Sequence, residues 1–281
     1  MEEGSERTGR FARLLVCVDG SPDSEGALAG ALAWAKLWES KVYLLEVLEF
    51  IPGYTGLAPE FVVQWENEVR AYLEAAKAEA ASAGIPLETL MATGESAHSA
   101  IIAAAQKIQP GAIVMGRHGR GGLARLMMGS VTARIIGHSP CPVLVVPRES
   151  PLTWQKILLA SDGSPYSAAA WEEALALTRR LGGSLLAVSV AREEGELPVA
   201  EEIVNHLMKS ANQQGIPLET HVIIGQPDDA IIQIALKNQV GLIILGSHGR
   251  TGFKRLLMGS VTERVIGQAP CPVLVVPKVI P

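Results

Sequence analysis

Residues 116–147 read GRHGRGGLARLMMGSVTARIIGHSPCPVLVVP, and residues 246–277 read GSHGRTGFKRLLMGSVTERVIGQAPCPVLVVP. The two stretches are identical at 23 of 32 positions, so the chain carries an internal repeat. Working outward, Val18-Asp19-Gly20-Ser21-Pro22 matches Ser161-Asp162-Gly163-Ser164-Pro165, and Gly84-Ile85-Pro86-Leu87-Glu88-Thr89 matches Gly215-Ile216-Pro217-Leu218-Glu219-Thr220. The 281 residues are therefore expected to form two tandem units, 1–150 and 151–281. At ~140 residues each is too long for a solenoid repeat and is expected to have its own core. The polar stretch Arg148 to Thr153 is the boundary, short enough to hold the units against one another.

Composition narrows the function classes. Hydrophobic residues make up 48% of the chain, enough for a sizeable core and too many for intrinsic disorder. Twenty-four Lys and Arg against 29 Asp and Glu give a net charge of -5, which argues against a broadly basic nucleic-acid surface. No apolar run approaches the ~18 residues that span a bilayer, and Met1 to Arg7 is too polar for a secretory signal. A soluble, cytoplasmic chain with no nucleic-acid or membrane partner is expected. The three cysteines, Cys17, Cys141 and Cys271, sit in or beside apolar runs and read as small core residues.

Within the first unit, Arg13 to Val18, Lys41 to Leu48, Ala112 to Met115 and Pro142 to Val146 are apolar runs that suit strands buried on both faces. Helices are expected over Glu25 to Trp38, Glu60 to Ser82, Ser96 to Lys107 and Ser130 to His138, the first opened by Ser21 as N-cap and Pro22 at the first helical position. The order is β-α-β-α-β-α-β-α-β. The expected fold class is α/β, two tandem doubly wound five-stranded parallel sheets in strand order 3-2-1-4-5, Rossmann-like. The winding reverses between strands 1 and 4, where ligands bind at the carboxyl ends of strands. Asp19-Gly20-Ser21 follows strand 1 and Gly116 follows strand 4, so both motifs meet there. The last strand of each unit falls at a sheet edge and is expected to join the two units.

The chemistry is carried by Gly116-x-x-Gly119, nine residues, then Gly129-Ser130, repeated as Gly246, Gly249, Gly259 and Ser260. Glycines permit positive φ and close backbone approach, and a helix opening at Ser130-Val131-Thr132 offers unpaired N–H groups and a positive dipole end to a phosphate. Ser130 and Ser260 are expected both to cap that helix and to donate to the anion. The pattern is neither a Walker A loop nor the dinucleotide Gly-x-Gly-x-x-Gly.

This combination resembles the universal stress protein family, specifically its tandem members and the ATP-binding branch with Gly-2x-Gly-9x-Gly-Ser/Thr. The resemblance covers nearly the whole chain, including the endings Pro140 to Pro147 and Pro270 to Pro277. It implies an adenine nucleotide, ATP and possibly Mg with it, in two pockets of a stress-response sensor or regulator. It implies that Asp19 and Asp162 line the pockets, that the backbones of Val47 and Val188 recognise adenine, and that Gly116, Gly119, Gly129, Ser130 and Val131 contact ribose and phosphate. Gly246, Gly249, Gly259, Ser260 and Val261 are the second set. The joined units would form an intramolecular pseudo-dimer, and a further homodimer is open.

Several readings stay open at this point. Asp19 and Asp162 suit ligand contact or capping of the next helix. His118, His248, Arg120, Arg250, Arg125 and Arg255 suit either phosphate pairing or solvated loop positions. A metal cluster is not expected, because the other histidines have no counterpart in the opposite unit. The first unit's longer apolar loop, Phe50 to Pro59, is expected to give its pocket the tighter grip. The alternatives to a binding regulator are a weak ATPase or nucleotidyl transferase, and an interaction protein that needs no ligand.

Overall fold

The architecture was read from a computed structural model that describes residues 9–49, 59–120, 128–148, 150, 153–250 and 258–278. The first half runs β1 (Arg13–Val18), α1 (Pro22–Trp38), β2 (Lys41–Glu49), α2 (Pro59–Ser82), β3 (Leu87–Gly94), α3 (Ala97–Ile108), β4 (Ala112–Gly116), α4 (Ser130–His138) and β5 (Val143–Val146). The second half repeats it as β6 (Lys156–Ala160), α5 (Pro165–Leu181), β7 (Ser184–Ala191), α6 (Leu197–Gln213), β8 (Leu218–Ile224), α7 (Pro227–Lys237), β9 (Leu242–Gly246), α8 (Ser260–Gln268) and β10 (Val273–Val276). Ser21 and Ser164 cap α1 and α5, each hydroxyl accepting from the N–H three residues on, with proline following. The loop Phe50 to Ala58 and the arginines Arg125 and Arg255 lie outside the described residues.

Each half has the expected order 3-2-1-4-5, and every strand pair within a half is parallel. The halves do not keep separate sheets. The last strands β5 and β10 pair antiparallel, Val143 opposite Val275, Leu144 opposite Leu274 and Val145 opposite Val273, so that ten strands form one sheet. Their four-residue runs are too short and too apolar to be left as edges, and pairing satisfies their backbone groups.

Burial corrects the expectation of one core per unit. Alternation along β1 sends Leu14 and Val16 to one face and Leu15 and Cys17 to the other. One core layer joins Leu14, Leu44 and Leu144 to Leu159, Ile244 and Leu274 beneath α1, α2, α5 and α6. The opposite layer joins Leu15, Ile113 and Val145 to Leu158, Ile243 and Val273 beneath α3, α4, α7 and α8. The core is divided by sheet face, because the shared sheet carries apolar side chains past the midpoint of the chain.

Other ties cross the same seam. The indoles of Trp34 and Trp154 meet edge to face at 4.8 Å, and Arg180 lies over the Trp38 ring at 5.3 Å. Arg117 Nη1 and Nη2 donate to the carbonyls of Gly267 and Ala269 at 3.0 and 2.6 Å, satisfying the carboxyl end of α8 with a cation. Arg10 reaches the fully buried Glu173 at 2.8 Å. All three cysteines are buried free thiols, and burial pushes Cys141 up to about 11 and Cys271 up to about 12, so they stay protonated at neutral pH.

Because the core layers are continuous, truncation of Leu274 should weaken both halves together. Leu274→Ala is expected to cost about 2–5 kcal/mol and to leave a single urea transition by tryptophan fluorescence. A second, separated transition for the first half would show that the halves unfold independently.

Candidate functional site

Strand β6 ends at Ala160, opposite Val188, whereas β7 continues to Ala191. The end of the sheet is thus notched, and a cleft of about 230 Å³ opens there. Its floor is apolar, from Val188, Val190, Ile231 and Leu245, and its rim carries Asp162, Arg192, His248, Arg250 and Ser260. All seven second-half residues implied by the resemblance, Asp162, Val188, Gly246, Gly249, Gly259, Ser260 and Val261, border this one cleft.

The aspartates have a role that sequence reasoning missed. Asp162 Oδ1 accepts from Ser164 N–H at 3.0 Å and Oδ2 from Arg250 N–H at 2.7 Å. Asp19 does the same with Ser21 N–H at 3.1 Å and Arg120 N–H at 2.9 Å. Each carboxylate therefore buckles the turn after the first strand of its half to the loop after the fourth. The helix caps are Ser21 and Ser164, not these aspartates.

None of the six motif glycines has positive φ, and packing requires four of them. A Cβ on Gly116 would stand 2.7 Å from the Asp23 carbonyl carbon, and one on Gly246 would stand 2.8 Å from that of Tyr166. These glycines let the first turn of α1 and of α5 close onto the sheet. A Cβ on Gly119 or Gly249 would lie 2.5 or 2.6 Å from the buckling Oδ2 of Asp19 or Asp162. Gly129 and Gly259 differ, since a Cβ there would find its nearest neighbours at 3.3 and 3.4 Å. The protein has room for a methyl at Gly259, so internal packing does not demand glycine there.

Gly129 and Gly259, rather than Ser130 and Ser260, are the N-caps of α4 and α8, and neither helix has a side-chain cap. The serines are the first helical residues instead. The N-terminal N–H groups of α8 consequently open toward the cleft without a side-chain acceptor. Thr132 and Thr262, buried in the first turn, donate from Oγ1 to the carbonyls of Gly116 and Gly246 at 3.2 and 2.9 Å. Their repetition in Ser-Val-Thr of both halves was the available signal for them.

Register corrects the equivalence of Val47 and Val188. Cys17 lies opposite Leu45 and Ala160 opposite Val188, so Val188 is the counterpart of Leu45 and Val190 that of Val47. The Val188 carbonyl already accepts from Ser161 N–H at 2.9 Å. Val190 points its backbone the same way, two residues beyond the end of β6, and faces the cleft.

The first half repeats the frame with different charge. Arg120 Nη2 stands 3.1 Å from Glu46 Oε1, a carboxylate on β2 with a side chain 3% exposed. Burial raises the Glu46 pKa, and the Arg120 guanidinium partly offsets that. His118 Nδ1 lies 3.3 Å from Asp23 Oδ1, while His248 Nδ1 lies 3.1 Å from Ser247 Oγ. Among the described residues no group of three or more His, Cys, Asp or Glu is placed to hold a metal ion.

Residues 10–147 and 153–277 each match the universal stress protein family. A universal stress protein of Mycolicibacterium smegmatis is 29% identical over 285 residues, covering 94% of this chain and 96% of the relative. One of Mycobacterium tuberculosis is 26% identical over 306 residues, covering 93% and 94%. Among solved structures, a universal stress protein of Archaeoglobus fulgidus aligns with TM-score 0.75 at 22% identity over 96% of this chain and 100% of that one, a likeness of fold.

The two kinds of motif glycine should separate in stability. Gly249→Ala drives a methyl into the Asp162 buckle and is expected to cost about 1–3 kcal/mol. Gly259→Ala should cost no more than about 1 kcal/mol, the usual range for a changed N-cap. Thermal melting of the two variants checks the order.

Proposed function

Given that the chain belongs to the universal stress protein family, we propose that it binds an adenine nucleotide, ATP with or without Mg, where the strand order reverses, and acts as a nucleotide-dependent regulator of a stress response in the cytoplasm. One coincidence carries the reading: at a single cleft an uncapped helix N-terminus, the guanidinium of Arg250 and an apolar floor converge. The helix end and the arginine suit phosphates, and the floor beneath Val190 suits a flat, apolar base. The backbone of Val190 and of Val47 would read the base edge, with the Gly246 to Gly259 loop and Ser260-Val261 around the phosphates. Magnesium would neutralise phosphate charge and arrive with the nucleotide.

The geometry favours retention over turnover. Asp162 spends both oxygens on backbone N–H groups, and Glu196, the other carboxylate lining the cleft, accepts from the Arg192 N–H, so both hold backbone in place. The units 1–150 and 151–281 would act as the two arms of an intramolecular pseudo-dimer, joined through β5 and β10. No described helix is long and apolar enough to cross a membrane.

Gly259→Asp tests the anion reading without endangering the fold. An aspartate at an N-cap supplies the missing acceptor, so stability should hold or rise by a few tenths of a kcal/mol, the usual difference between aspartate and glycine at that position. The same carboxylate takes the N–H groups that a phosphate needs. Calorimetric titration should show ATP binding to the parent protein with Kd below about 1 mM, a matching rise in Tm, and loss of binding at this site in the variant. Unchanged affinity in a folded Gly259→Asp protein would reject the helix end as the phosphate site.

A further inference from the structure

The two halves carry one motif, yet the residues along and just after the second strand of each differ in charge. With the shared register, Glu46 on β2 stands where β7 has Ser189, and Glu49 stands where Arg192 follows β7. Going from the first half to the second thus replaces two carboxylates with one hydroxyl and one guanidinium.

The arginines show the consequence. Arg120 and Arg250 lie over the glycine that follows the first strand of each half, with Nη2 at 3.0 Å from a Cβ placed on Gly20 and at 3.4 Å from one on Gly163. In the first half that guanidinium is taken by Glu46 at 3.1 Å. In the second half Ser189 offers no charge, and among the described residues no carboxylate pairs with Arg250. The neighbouring helix end differs in the same sense. Glu49 Oε1 accepts from Ala97 N–H at the start of α3, whereas Pro227 at the start of α7 borders the open cleft together with Arg192.

We infer that the two sites are not equivalent: the second-half cleft takes the nucleoside polyphosphate, while in the first half Glu46 occupies Arg120 in place of a phosphate and closes that site to polyanions. The pair Glu46 and Ser189 is then the determinant of which half is loaded. A polyphosphate entering the first half would have to displace a buried carboxylate from its cation and lie beside it, so attraction is lost and repulsion added. This inference rests on the nucleotide reading above, and it reverses the asymmetry expected from the longer loop of the first half.

Calorimetric titration of the full chain with MgATP tests it. The parent protein should bind close to one nucleotide per chain. Glu46→Ser, which installs the second-half residue, should raise the count toward two, and the nearly isosteric Glu46→Gln should do the same if the serine variant folds poorly. Ser189→Glu should weaken the original site by about tenfold or more, because the new carboxylate competes for Arg250. Two equal sites in the parent, or a count unchanged by both Glu46 variants, would overturn the inference while leaving nucleotide binding intact. Absence of ATP binding in every protein would overturn the nucleotide reading and this inference with it.

Discussion

Everything in this molecule depends on three residue pairs at the seam. Val143, Leu144 and Val145 meet Val275, Leu274 and Val273 antiparallel, and both core layers run through that contact. Strands of four apolar residues carry few backbone groups to satisfy but a full complement of side chains to bury. Joined, each supplies the other with hydrogen bonds on the exposed edge and neighbours on both faces. Arg117 on the carboxyl end of α8 and Arg10 on Glu173 add polar ties to an otherwise apolar junction. These polar ties have no symmetric copies, since Ser247 stands where the first half has Arg117 and Thr153 stands where it has Arg10.

The glycine motif satisfies two demands in the same few residues. Gly116 and Gly246 admit the first helix of each half, and Gly119 and Gly249 admit the aspartate that ties one loop to the other. Those four positions are explained without a ligand. Gly259 is not, and it sits where an uncapped helix end meets the cleft. Packing and recognition therefore divide the motif between them, and a glycine pattern alone does not reveal which position serves which.

Much of the fold was legible because its signals are local. The repeat, the alternation of short apolar runs with helices, and Ser-Pro at the start of α1 and α5 each follow from neighbouring residues. The last strands were legible as the joint between the halves, but the merged core was not, since it depends on both sheet faces carrying apolar side chains across that joint. The partnership of Glu46 and Arg120 joins residues 74 positions apart, so the visible clue was only a glutamate inside an apolar strand. The slip between Val188 and Val190 had a different origin. Both are valines on one strand, and only the end of β6 decides which keeps its backbone uncommitted.

The antiparallel seam gives the molecule a polarity. Strands within each half are parallel, so reversing direction between β5 and β10 sets the carboxyl ends of the two halves at opposite ends of the sheet. Two separate chains paired this way would be interchangeable, and neither end could be told from the other. Fusing them into one chain lets substitutions accumulate on one end only, as Glu46 and Glu49 have against Ser189 and Arg192. A binding partner approaching along the sheet therefore meets two chemically distinct poles, and orientation becomes information that a symmetric dimer has no means to carry.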